Sequence, residues 1–335
     1  MISLQDTASP ISKQENSEGK RQATQNQALR FITKNGALVF LVFMIIFDSI
    51  FTNNFLNLQS FWNIINQMIT LALIAFSMTF VISAGGIDIS VGSVMAIAGI
   101  MVAALIPKIG LVPAILAAIA AGTAVGLFNG FIISTFNIQP MIVTLTMMIT
   151  GRGIAKVIGG GNIIMSQDPN LSALSMSYIG GVPIQFFYLI IIFAIFLFIA
   201  KKTVLARYIE AVGDNCRASF LSGLKIKKLL LIIYGISGLM AGLAGILTVS
   251  FAGAADPDKI GLNYETYAIA AVVIGGTPMT GGKARMKGTL IGAFILQLIT
   301  VTINMNNIPY AWSLVAETVI IILAVFVQNI KHEGI

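Results

Sequence analysis

The sequence predicts an all-α polytopic membrane protein of about ten transmembrane helices, built as two parallel-related halves with both termini in the cytoplasm. Three observations lead there. Of 335 residues, 57% are hydrophobic and 10% charged, with a mean hydropathy of +0.91, whereas an ordinary soluble domain carries roughly 25% charged residues. Apolar segments follow one another at 37–51, 64–84, 89–106, 111–134, 140–158, 184–200, 229–251, 264–276, 289–306 and 311–328. None alternates with the period of a barrel strand, so helices that satisfy their own backbone hydrogen bonds are the remaining way to cross lipid. Basic residues, finally, collect in alternate connections, as they do on the cytoplasmic side of membrane proteins. Together these exclude a soluble enzyme, a nucleic-acid partner and a disordered chain.

Residues 1–35 are polar (Lys13, Gln14, Glu15, Asn16, Ser17, Glu18, Gly19, Lys20) with no early apolar stretch. They read as a flexible cytoplasmic tail without a cleavable signal peptide, ahead of a membrane domain over 36–330. The first and eighth apolar segments are shorter than the roughly 17 residues a span needs, so they borrow flanking residues or are broken helices. With the N-terminus inside, Lys13, Lys20, Arg21, Arg30 and Lys34 fall in the cytoplasm. So do Lys201, Lys202, Arg207, Arg217, Lys225, Lys227 and Lys228 in the loop after the sixth span, Lys283, Arg285 and Lys287 before the ninth, and Lys331 at the end. Lys108 and Lys259 fall outside. Arg152 and Lys156, at the fifth span, either face a cavity or snorkel to the outer surface, and snorkelling is the favoured reading. The loop 159–183 is expected outside, the basic loop 201–228 inside, and the acidic, Gly-rich stretch 252–263 outside. Cys216 is the single cysteine and His332 the single histidine, which leaves neither an internal disulfide nor a His/Cys metal site.

Glycines divide into two kinds. Gly122, Gly126 and Gly130 recur every fourth residue on one face of the fourth span. Gly238 and Gly242 do so in the seventh, and Gly288 and Gly292 at the ninth, the small-residue pattern that lets helix backbones approach closely. The second kind interrupts apolar runs. In Gly85-Gly86-Ile87-Asp88-Ile89-Ser90-Val91-Gly92 a glycine pair, each member costing a helix about 1 kcal/mol, is followed by a carboxylate. An ionisable group at membrane depth faces a cavity or caps an interrupted helix, and Asp88 or Ser90 is placed to cap the third span. A direct translocation role for this break is the competing reading. The second half carries Gly275-Gly276-Thr277-Pro278-Met279-Thr280-Gly281-Gly282, and an offset of 190 residues sets Gly85, Gly86, Ser90 and Gly92 on Gly275, Gly276, Thr280 and Gly282. Repeats built around interrupted helices are typical of transporters.

The inner loop reads LARYIEAVGDNCRASFLSGLKIKK over 205–228. An amphipathic piece meets Gly213, Asp214 and Asn215 offer caps for a second piece from Cys216 to Ser222, and Gly223 suits its C-terminal turn. Such a helix either receives force from a soluble partner or lies on lipid with its basic residues at the headgroups.

Tyr208–Gly223 with the run to Lys228 resembles the coupling loop of sugar-type ABC importer permeases, the membrane subunits of ribose, xylose, galactose and related uptake systems. The resemblance extends to residues 85–92, with Ile89 where that family has Leu. It continues through Tyr264, Glu265 and Ile269–Thr277, Asn129-Gly130, Pro140–Leu145 with Arg152 and Gly153, and Gly281–Gly292. It covers roughly residues 60–330 in order. It implies a pore of two permease copies, identical or related, two ABC ATP-binding subunits on the inner loops, and a soluble sugar-binding protein outside. It also implies that Glu210, Gly213, Asn215, Ala218, Ser222 and Gly223 meet the ATP-binding subunit, and that ATP and magnesium bind that subunit and not this chain. The chain departs from the family at Asp214 (usually Gly), Cys216 (usually acidic), Tyr267 (usually Asp) and Ala284 (usually Gly). The first two alter the docking surface and suggest a dedicated ATPase partner.

Thr280-Gly281-Gly282-Lys283-Ala284 approaches a phosphate-binding loop, but Thr277 stands at the first glycine position and Ala284 lacks the magnesium-binding hydroxyl. Ser222-Gly223-Leu224-Lys225 matches a serine–lysine nucleophile pattern only by coincidence. The expected function is an inner-membrane permease subunit of an ATP-driven importer for a monosaccharide or similar polyhydroxylated solute, working by alternating access. Gly85, Gly86, Asp88, Ser90, Gly92, Gly275, Gly276 and Thr277 form its helix breaks. Asn66, Thr79, Asn129, Thr144 and Asn304 are the pore candidates, as neutral groups that exchange hydrogen bonds with a sugar without trapping it. The alternative from another class is a secondary transporter driven by an ion gradient, with Asp48, Asp88 and Glu317 as ion sites. A membrane enzyme lacks a polar catalytic cluster.

Overall fold

The computed structural model describes residues 36–166 and 168–309, with isolated positions between 311 and 322. The expected tail 1–35, Glu317 and His332 lie outside the described residues, as does most of the tenth apolar segment. The helices are α1 (Gly36–Phe51), α2 (Leu58–Ser83), α3 (Val91–Ile109), α4 (Leu111–Phe136), α5 (Pro140–Gly159), α6 (Pro169–Met176) and α7 (Ile184–Lys202). They continue as α8 (Val204–Asp214), α9 (Cys216–Leu221), α10 (Ile226–Ala252), α11 (Tyr264–Ile274) and α12 (Met286–Met305). Seven of them are long and apolar enough to cross a membrane, and α1 and α11 are shorter apolar helices. The two short ones are those whose segments fell below spanning length in the sequence.

Local chemistry sets the helix ends. Asn57 caps α2 by accepting a hydrogen bond from the Gln59 amide, Pro140 opens α5 at its first turn, and Gly160 and Gly253 close α5 and α10 in left-handed conformation. α2 is enclosed along almost its whole length, whereas α4, α5 and α7 keep most of their surface exposed. α2 is therefore the central post of the bundle, with α7, α10, α11 and α12 packed around it, while the exposed apolar faces suit lipid. Phe76 stacks between Phe193 and Phe196 of α7, at 5.6 and 5.8 Å between ring centroids.

The tightest helix pair is α4 with α10. Its contact is the glycine stripe: a Cβ on Gly126 would collide with the Tyr234 carbonyl oxygen and lie 2.9 Å from the Gly238 nitrogen, and one on Gly122 would lie 2.7 Å from the Gly238 oxygen. The spaced glycines thus act as close-packing surfaces, as the sequence indicated.

Two short strand pairs lie in the connections between helices. Ile164–Met165 (β1) pairs antiparallel with Ala254–Ala255 (β4), and Tyr178–Ile179 (β2) with Val182–Pro183 (β3). Asp168 caps α6 by accepting from the Asn170 and Leu171 amides. The stretch 256–263 is drawn inward along α3, with buried Ile260 beside Gly99 and Gly261 against Gly92. That inward course is why α11 is only 11 residues long. Arg152 corrects the snorkelling expectation. Its guanidinium donates to the Pro257 and Ile260 carbonyls at 3.0 and 2.6 Å, so it ties α5 to this inward loop, and Lys156 pairs with Asp258 at 2.7 Å.

Gly126→Val is expected to lower stability by about 1–3 kcal/mol through overpacking of α4 on α10. Gly153→Ala, where an added Cβ meets no atom within 4 Å, is expected to leave it within about 0.5 kcal/mol. Thermal unfolding of the purified protein in detergent checks both.

Candidate functional site at the two helix breaks

Both interrupted helices end in the same turn. After α2, the Gly86 amide donates to the Val81 carbonyl and the Gly85 amide to Ile82. After α11, the Thr277 amide donates to Val272 and the Gly276 amide to Val273. Gly85 and Gly276 are the left-handed residues, at φ +83° and +84°, the position where a helix C-terminus calls for glycine. The equivalence is therefore Gly85 with Gly276, an offset of 191, and not the 190 that the letters suggested. It also ends there. α3 resumes at Val91 but α12 only at Met286, so the second break is longer. Gly92 lies within the first turn of α3 against Gly261, while Gly282 lies in the loop before α12. The pairings of Ser90 with Thr280 and of Gly92 with Gly282 fail for that reason.

Asp88 is buried in the first break. Its Oδ1 accepts from the Ser90 amide at 3.0 Å and the Ser90 hydroxyl at 2.6 Å, and its Oδ2 accepts from the Ser237 hydroxyl of α10 at 2.7 Å. Asn129 of α4 donates to Ser90 Oγ at 2.9 Å, and Thr144 of α5 donates to the Ile87 carbonyl at 3.2 Å. The capping expectation needs one correction. Ser90 stands at the cap position of α3 but makes no side-chain cap bond; its hydroxyl is turned to Asp88. The carboxylate works as a three-way clasp that fastens the non-helical segment to α10 directly and, through Ser90 and Asn129, to α4, satisfying polar groups that lipid would leave bare.

The two breaks touch each other. Gly282 N donates to the Ser83 carbonyl, and Ser83 Oγ donates to the Lys283 carbonyl, each at 2.9 Å. α2 and α11 thus end, and α3 and α12 begin, at one end of the bundle, as parallel-related units require. In the second break, Thr277 Oγ1 accepts from the Arg285 amide at 3.2 Å, and Gly275 packs against Gly288 and Thr289 of α12.

The inner helix pair sits at this same end. Gly213 lies in the last turn of α8, one residue before its end at Asp214, and a Cβ there would collide with the Ser83 carbonyl oxygen and lie 2.6 Å from Gly282 N. Glu210 also faces inward, its Oε1 accepting from the Ala284 amide at 2.9 Å. Of the two offered caps only Asn215 serves, accepting from the Ala218 amide at 2.9 Å, and Gly223 closes α9 at φ +83°. Asn215, Ala218, Ser222 and Gly223 are exposed. The six residues expected to meet an ATP-binding subunit therefore divide into an exposed set, Ala218 on α9 with Asn215, Ser222 and Gly223 at its ends, and an inward set, Glu210 and Gly213, on α8.

The pore candidates scatter. Asn129 and Thr144 belong to the Asp88 clasp. Thr79 joins α2 to α12 through Thr289 Oγ1 at 2.8 Å, Asn66 is buried on α2, and Asn304 is exposed on the last turn of α12. Sequence reasoning missed a set that the fold assembles from three helices. Gln297 donates to Gln67 Oε1 at 3.1 Å, and the Thr70 and Tyr264 hydroxyls lie 3.3 Å apart, with Tyr264 ring-to-ring against Tyr267. Only the polarity of Gln67 and Gln297 within apolar spans signals it. Asp48 is buried on α1 with Thr302 donating to it at 2.8 Å, in a cluster with no shared residue with Asp88.

Asp88→Ala leaves the Ser90 and Ser237 hydroxyls without their acceptor, at about 1–3 kcal/mol for each buried group, and is expected to reduce the yield of folded protein severely. Asp88→Asn keeps an acceptor toward Ser90 and is expected to cost less than half as much. Monodispersity and melting temperature of the two variants, side by side, test the clasp.

The comparisons with known proteins agree with this geometry. A family described as "Branched-chain amino acid transport system / permease component" matches residues 60–325. The ribose import permease protein of Haemophilus influenzae is 35% identical over 318 residues, covering 92% of this chain and 97% of its own length. That of Escherichia coli is 36% identical over 307 residues, covering 90% and 95%. The galactofuranose transporter permease protein of Escherichia coli is 33% identical over 315 residues, covering 91% and 92%. No solved structure matches. With the multi-pass helical bundle, the paired helix breaks and an alignment that spans nearly the whole sequence, this chain belongs to the permease-component family of bacterial transport systems.

Proposed function

We propose that this chain is the membrane-spanning permease subunit of an ATP-driven importer for a monosaccharide or a similar polyhydroxylated solute. The observation that carries the reading is the full-length likeness to permeases named for ribose, fructose, galactofuranose and L-arabinose, at 30–36% identity. Two ATP-binding subunits dock on the exposed face of α9, a soluble sugar-binding protein delivers solute outside, and a second permease copy completes the pore in the inner membrane. ATP and magnesium are bound by the ATP-binding subunits. Closure of the ATPase pair displaces α8 and α9, and the membrane helices rearrange around their breaks so that access alternates between the two sides.

The chemistry of the interior supports a neutral, hydroxyl-rich cargo. The Gln67, Gln297, Thr70 and Tyr264 group offers amide and hydroxyl partners, and Tyr264 and Tyr267 supply ring faces. Such groups exchange hydrogen bonds with a sugar and exert no net charge that holds it. An ion-gradient mechanism is the weaker reading, because the full-length likeness is to sugar permeases and both oxygens of Asp88 are already held by hydroxyl and amide donors.

Reconstitution in proteoliposomes with its ATP-binding subunits and binding protein decides between them. Sugar accumulation is expected to require internal ATP and to persist when an ionophore removes the ion gradients. Accumulation without ATP that collapses with the ionophore would overturn the proposal.

A further inference from the structure

Inward-facing residues on a docking element carry a different task from outward-facing ones. The Glu210 carboxylate accepts a hydrogen bond from the backbone of the second helix break at Ala284, 74 residues away in sequence. One turn further along α8, Gly213 lies against the Ser83 carbonyl at the start of the first break and against Gly282 N of the second. Those two groups are hydrogen-bonded to each other, and Ser83 Oγ closes a second bond to Lys283. Gly281 completes the contact, where a Cβ would lie 3.0 Å from the Gly213 oxygen and 3.2 Å from Gly85 N. Three elements distant in sequence thus meet backbone to backbone, with no flexible side chain between Gly213 and its neighbours.

From this geometry we propose that Glu210 is a positioning residue of a transmission junction. It fixes α8 to the second break while Gly213 fixes α8 to the first, so that one displacement of α8 moves both breaks together. The inference rests on the proposed docking of ATP-binding subunits at α9 and assigns α8 a separate role. α9 receives the partner through Asn215, Ala218 and Ser222; α8 transmits. Its inner face is anchored by buried Ala206, Ile209 and Val212, so it moves as a unit with the bundle end it contacts. A hydrogen bond from a backbone amide to a side-chain oxygen is directional, and at 2.9 Å this one fixes how α8 stands against the second break.

Two isolated changes separate transmission from docking. Glu210→Gln removes the charge and keeps an oxygen that reaches Ala284 N. Glu210→Asp keeps the charge and shortens the arm by one methylene, out of reach. Each variant is reconstituted in the complete importer, and ATP-binding-subunit retention, ATP hydrolysis and sugar accumulation are measured together. The junction predicts that Glu210→Gln keeps the ratio of sugar moved to ATP hydrolysed within about twofold. Glu210→Asp is predicted to retain the ATP-binding subunits and hydrolyse ATP, but to lose about tenfold in that ratio, the factor that corresponds to about 1.4 kcal/mol. The reverse order, or loss of the ATP-binding subunits in Glu210→Gln, assigns Glu210 to the docking surface and overturns the junction. Wild-type coupling in both variants overturns it as well. Solute accumulation by the wild-type chain with no ATP-binding subunit present would instead overturn the functional reading beneath it, and the inference with it.

Discussion

Backbone that leaves a helix has to find its hydrogen bonds elsewhere, and where it is buried it finds them in protein. The architecture described above follows from that constraint. Each break closes its helix end with a glycine turn, and what the turn leaves open is satisfied by another element. Ser83 gives its carbonyl to Gly282, Lys283 receives the Ser83 hydroxyl, and Glu210 receives the Ala284 amide. Asp88 does the same higher in the first break, holding Ser90 and Ser237. The irregular segments are therefore the places where α2, α4, α8, α10 and α12 are held in fixed relation.

The helices between these segments pack closely. α4 and α10 approach through Gly122, Gly126 and Gly238 closely enough that backbone meets backbone, and dispersion contacts of that kind are what lipid cannot replace. With α2 enclosed at the centre, a displacement at the α8 end has rigid helices to act upon.

Much of this was legible in the sequence. Hydropathy located nine described helices to within a few residues, because a span has a length requirement that soluble helices lack. The glycine pairs marked both breaks, and Asn215 and Gly223 marked the ends of α9. What stayed hidden depends on which face a residue presents. Gly213 marked the end of α8 to within one residue, but that its missing Cβ makes room for the Ser83 carbonyl depends on the face it presents. Glu210 looked like a docking charge on an amphipathic helix, and only the position of Ala284 shows its inward contact. The offset of 190 was a coincidence of letters; hydrogen bonds, which define the turn, give 191. Gln67 and Gln297 are 230 residues apart, and nothing in either local segment announces the other.

Hydrogen–deuterium exchange over residues 278–285 of the purified protein tests the central claim most directly, because the segment has no helix or strand of its own and its Gly282 and Ala284 amides are bonded to α2 and α8. The Gly282 and Ala284 amides are predicted to exchange slowly, within the range of the flanking helices. Exchange at the rate of an open loop would contradict the account, since the two breaks would then not be bound to each other.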